Sequence, residues 1–137
     1  MADSTNETIK GIITRISAQV SDLGSRVYSD PPQDSTFPYA VVTIGSNPYE
    51  AKGITDMEHI VRCQVFARGN GTTKGGRREA VDIRSDIYTA LNRQEANITI
   101  TGFTLVSIMV APLIDAFKDQ SGKTWQGVIE FRTVVQS

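Results

Sequence analysis

Two spacings of apolar residues divide this chain. In one, apolar side chains recur every three or four residues, the period of a helix with one face turned inward; in the other they recur every second residue, the period of a strand. The helical spacing comes first at Ile9, Ile12, Ile13, Ile16, Val20 and Leu23, which fall on a single stripe. Ser4-Thr5-Asn6-Glu7, just ahead of it, fits a capping box, in which the serine hydroxyl accepts from the Glu7 amide while the glutamate reaches back. Gly24 follows where helices commonly end in a left-handed residue. The spacing returns between Arg77 and Asn92, with Ala80, Ile83, Ile87 and Leu91 inward and Val81 and Tyr88 beside them. Arg77, Arg78, Asp82, Arg84 and Asp86 take the remaining faces of that second helix.

The strand spacing is clearest over 57–67, where Met57, His59, Val61, Cys63, Val65 and Ala67 share one face and Glu58, Ile60, Arg62, Gln64 and Phe66 the other. It recurs over 125–135, with Trp125, Ile129, Phe131, Thr133 and Val135 on one side. Residues 39–44 are apolar almost throughout and β-branched, the pattern of a strand buried on both faces. Two further β segments, 98–101 and 103–110, are separated by Gly102, which predicts a bend or bulge. A short extended piece at Val27-Tyr28 precedes the turn-rich 30–34, which holds Pro31 and Pro32 and excludes helix. Residues 45–56 and 68–76 read as loops, and 119–123 as a hairpin turn. The order α-β-β-α-β-β-β with short connections predicts an α+β fold: a mostly antiparallel sheet with two helices packed on one face. The length of 137 residues and the absence of an internal repeat predict one domain over 1–137.

Composition narrows the function. The chain is 39% hydrophobic and 21% charged with a formal net charge of −1, the profile of an ordinary globular protein. Proteins that live on phosphate contacts carry a strong basic excess, so a dedicated DNA binder is not expected. Cys63 is the one cysteine and sits within a strand pattern, which excludes an internal disulfide and predicts a buried thiol. No basic-then-apolar leader opens the sequence, and the apolar run 108–114 is too short to span a bilayer. Cytoplasmic synthesis is the expectation, and the three glycosylation sequons at Asn6, Asn70 and Asn97 carry no weight.

Catalytic patterns are missing. Nucleophile–base pairs of the serine or cysteine type need a histidine, and the single one, His59, lies mid-strand among apolar neighbours. One His and one Cys do not make a zinc site. The glycines at 69, 71, 75 and 76 only superficially suggest a phosphate loop: Lys74 precedes the Gly75-Gly76 pair and Arg77 follows it, so the hydroxyl that would bind magnesium is absent. Asp115, Asp119 and Glu130 are scattered along a strand pair, as solvated carboxylates are. No active site, metal or cofactor is expected.

Five stretches, in order, resemble one family. Phe37-Pro38-Tyr39-Ala40-Val41-Val42-Thr43-Ile44-Gly45 is similar to the FPYVVIG strand of the tail-completion, or tail-terminator, proteins of long-tailed bacteriophages. Glu58-His59 entering the next strand, Asp86-Ile87-Tyr88-Thr89-Ala90-Leu91 closing the helix, Ile100-Thr101-Gly102-Phe103-Thr104-Leu105-Val106, and Phe117 to Arg132 match further family segments. Gln120 and Ser121 depart from the usual Pro and Asp of the last segment, which changes the turn chemistry only. None of the matched residues is catalytic in the family.

The resemblance implies a structural virion protein of the tail or neck, assembled in the host cytoplasm. It would form a homo-hexameric ring on the last ring of tail-tube protein, stop tube growth, and present a docking face to the head-completion or connector protein. DNA would only pass through the lumen, and no membrane is involved. A closed ring uses two different patches per subunit. Tyr49, Glu50, Lys52, Lys74, Arg77 and Arg78, in or beside the two polar loops, are the expected subunit or tube contacts. The alternatives are a head-side connector, stopper or minor tail protein, and, in a different class, a small ligand-binding domain or enzyme.

Overall fold

The computed structural model describes residues 3–32, 35–48, 56–69, 75–118 and 124–136. Among these, β1 (Val27–Tyr28), β2 (Tyr39–Pro48), β3 (Asp56–Ala67), β4 (Thr104–Lys118) and β5 (Trp125–Gln136) form a sheet in the order β1-β2-β3-β5-β4. β1 runs parallel to β2; the other pairs are antiparallel. Helix α1 (Thr5–Gln19) lies against β1 and β2, and α2 (Gly76–Leu91) crosses β3, β5 and β4 while also touching α1. Both helices cover one face of the sheet. The fold is α+β, as the two periods predict.

The alternation in β3 is the reason. Met57, His59, Val61, Cys63, Val65 and Ala67 are all buried, whereas residues on the other face are partly or fully exposed. Register sets Val61 beside Phe131 and Cys63 beside Ile129, so apolar side chains of neighbouring strands form continuous rows beneath the helices. Ile12, Ile16, Val20 and Leu23 from the α1 side, and Ile83, Ile87 and Leu91 from α2, close the same core. Two glycines allow tight contact. A Cβ at Gly76 would fall 2.7 Å from the Trp125 ring, and one at Gly127 would fall 2.9 Å from the Ala80 carbonyl oxygen. α2 therefore rests directly on β5.

The element order differs from the expected one, because Val27–Tyr28 is a strand and 98–101 is not. Ile98 and Ile100 are buried and two apart, which imitates a strand, but the segment packs across α1 instead of pairing. A Cβ at Gly11 of α1 would lie 2.5 Å from the Thr99 carbonyl oxygen. A 3-10 turn, Glu95–Asn97, leads into it, and Gly102, at φ +80°, turns the chain toward β4. Residues 45–48 and 56, expected in a loop, extend the two flanking strands. β2 is buried on both faces only in part: Ala40 and Val42 are covered by the helix layer and Val41 is buried on the other face, where Thr43 is exposed. Gly24 has the left-handed φ of +54°, but in a turn that follows the helix rather than at its end. β4 pairs with β5 through two register shifts, between Leu105 and Ser107 and between Val110 and Ile114.

Candidate functional site

The residues that could have carried chemistry are withdrawn from the surface. Cys63 is fully enclosed, and burial pushes its thiol up to about 12, leaving it protonated at any ordinary pH. His59 is equally enclosed; its ring shares a 2.7 Å hydrogen bond with the Ser4 hydroxyl. Burial lowers the imidazole below its ordinary value, with nearby Asp3 opposing the shift. Among the described residues, no group of three or more His, Cys, Asp or Glu side chains is placed to hold a metal ion. Among the described residues, open grooves run along the helix layer. One, of about 490 Å³, lies between α1 and α2 and is lined by Arg15, Gln19, Asp86 and Gln94 among others.

The capping arrangement explains why Ser4 is available to His59. The serine side chain makes no helix cap; it turns inward, and Asp3 caps instead, its carboxylate accepting from the Thr5 amide at 2.9 Å. The capping box expected from Ser4 and Glu7 is therefore not formed. A buried imidazole needs a partner more than an exposed amide does.

The surface offers contact features instead. On the helix-free face, aromatic rings line up across the strands at the end where β2 begins. Tyr39 stacks on Phe66 at 4.9 Å between centroids, and Phe37 and Tyr28 lie 5.2 and 6.3 Å from Tyr39. The Arg68 guanidinium sits 4.1 Å over the Phe37 ring and donates to the Thr124 hydroxyl at 3.1 Å. Partial burial raises the Tyr39 phenol above its ordinary value, against the pull of the Arg68 charge. Phe117, 42% exposed, continues the row beyond Gln126. Further along the same face, Arg62 and Glu130 pair at 2.8 Å, and Arg132 bonds to Glu58.

Arg77 and Arg78 lie exposed on the first turn of α2, where the Gly69–Gly75 bridge brings that turn beside Arg68. Arg78 makes a long, 3.9 Å ion pair with Asp82. Lys118, opposite Trp125 in register, is at the same end. Four cations and the aromatic row thus share one end of the sheet. Tyr49, Glu50, Lys52 and Lys74 lie outside the described residues. The strand ends that flank them are placed, however: 49–55 joins β2 to the start of β3, and 70–74 leaves from its far end. Twelve residues of strand separate those ends, a span of roughly 36 Å at the usual rise. The aromatic row went unseen in the sequence. Phe66 reads there as one residue on the polar face of its strand, and only the pairing Tyr39↔Phe66 makes a row of it.

The fold is shared with a chain of the virion of a native gene transfer agent particle. That chain is 15% identical, the alignment covers 94% of each chain, and the TM-score is 0.75. No curated protein matches by sequence. The sequence model of the family described as tail completion protein gp17 matches residues 12–136, which take in every strand and α2. With nearly all of its length matched, the chain belongs to the tail completion protein gp17 family and is a structural protein of a phage-type tail.

Proposed function

We propose that the protein is a tail terminator: six copies close into a ring on the last ring of the tail tube, halt its polymerisation, and offer the opposite side to the head-completion or connector protein. The observation that carries this reading is the family match over residues 12–136. The positions of the strand ends that flank the two polar connections support it. A subunit between two different neighbours needs separate contact patches, and the polar connections leave from opposite ends of β3. Tyr49, Glu50 and Lys52 belong to one end, and Lys74, Arg77 and Arg78 to the other, as subunit or tube contacts. The protein works by contact and transforms no substrate. DNA passes through the ring without specific binding, in keeping with a net charge of −1.

The test is native mass measurement of the purified chain, alone and with its tail-tube protein. Six-copy species are expected with the tube. A Lys52→Glu/Arg78→Glu variant is expected to keep its fold by circular dichroism and to lose that species. A protein that stays monomeric under every condition, or a double variant that caps tubes normally, removes the ring or the residue assignment respectively.

A further inference from the structure

We propose that residues 92–95 take the place of a missing strand along the outer edge of β4, and that this cover keeps a second copy of the chain from pairing there. β4 is the last strand on its side of the sheet, so its outward backbone groups have no neighbouring strand to bond. Its first half invites one. Thr104 to Val110 read Thr-Leu-Val-Ser-Ile-Met-Val, seven residues without charge, proline or glycine. That is the composition from which strands stack on copies of themselves. Val106 and Met109 are 48% and 45% exposed there. Between the two slips of its ladder, β4 keeps a regular stretch at Ser107–Val110, paired without a break to Val134–Phe131.

On the edge of an antiparallel sheet, every second residue turns its N–H and C=O outward. In this stretch they are Ile108 and Val110, and the segment leaving α2 meets both. The Arg93 amide donates to the Ile108 carbonyl at 2.9 Å. The Ile108 amide donates to a Glu95 carboxylate oxygen at 3.2 Å, and the Val110 amide donates to the Asn92 side-chain oxygen at 2.8 Å. One amide and two side chains thus make bonds that an added strand would make, yet 92–95 is a turn and presents no strand edge of its own. Arg93 holds a left-handed φ of +60°, uncommon for any residue but glycine. Its side chain, 67% exposed and 3.7 Å from Glu95, sets charge on the border, which disfavours pairing further. The partner kept out is a second copy. Antiparallel pairing about a twofold axis at Met109 would set Ile108 of one copy against Val110 of the other and bond the outward groups of both. This holds whether or not copies close into a ring through other surfaces.

The test is an Asn92→Ala/Glu95→Ala variant of the full chain, studied without tube protein. In dilute solution, amide exchange at Ile108 and Val110 should quicken by roughly 3- to 10-fold, since each amide loses its acceptor. The Met109 amide, which faces β5, should not follow. Over the micromolar to millimolar range, sedimentation should show self-association beyond that of the unaltered chain. Adding Met109→Glu should abolish the excess. The new glutamate lies opposite Arg132 within its own chain, but across the twofold axis it would face its own copy. Unchanged exchange at Ile108 and Val110, faster exchange without added self-association, or association that Met109→Glu leaves intact would each overturn the proposal. If the double variant does not fold, Glu95→Ala alone is read in the same way at Ile108. None of these outcomes turns on six-copy species with the tube, so the ring is judged separately.

Discussion

Single side chains of this protein show how a buried polar group is handled well in one place and poorly in another. His59 has the Ser4 hydroxyl at 2.7 Å, whereas the hydroxyls of Thr8 and Thr133 are buried with no hydrogen-bond partner. Thr133 lies beside His59 in register and faces the helix layer. A buried hydroxyl without a partner costs about 1–3 kcal/mol relative to one that is satisfied, and a methyl of the same shape carries no such penalty. Thr133→Val is therefore expected to raise stability by about 1 kcal/mol in urea denaturation. A loss of similar size would mean that the hydroxyl is satisfied by a bound water. The arrangement around Ser4 was hidden in the sequence for a related reason. A serine five residues before an apolar stripe reads as a cap, and nothing local announces an imidazole 55 residues away that competes for it.

At the level of elements, one close approach decides how α1 sits. Replacing an exposed helical glycine by alanine usually gains about 0.5–1 kcal/mol, because the unfolded chain loses freedom. Gly11 should behave oppositely, since its Cβ would meet the Thr99 carbonyl at 2.5 Å and the Ile100 side chain at 3.2 Å. Gly11→Ala is expected to cost roughly 1–3 kcal/mol, read as a lower denaturation midpoint. Both helices, and the strands β3 and β5, were legible because each buries one face and so writes its period into the residues. Ala80, Ile83, Ile87 and Leu91 are all in the core, as that period requires. The piece 98–101 was misread because Ile98 and Ile100 alternate without pairing to a strand. Periodicity records which side chains are covered and not by what. For the candidate site the limit is the same: Arg77 and Arg78 could be named from the helix they begin, but Tyr39 and Phe66 become neighbours only through strand register.

Taken whole, the molecule is two-sided. One face of the sheet is closed by α1 and α2; the other carries Arg62, Glu130, Arg132 and Glu58 between partly exposed aromatic and aliphatic side chains. The arginines of these pairs are exposed to water while the glutamates are partly covered, and solvent screening keeps their energies small. A double-mutant cycle of Arg62→Ala and Glu130→Ala should return a coupling of about 0.2–1 kcal/mol that shrinks with added salt. A coupling several times larger in the isolated chain would mean that the face is covered there. Across the sheet, β4 is an outer strand 15 residues long whose ladder slips twice, after Leu105 and after Val110. Such irregularities twist a border away from straightness and spoil it as a template for another chain. An outer strand broken in this way is a poor template for a second copy, which disfavours stacking into fibrils.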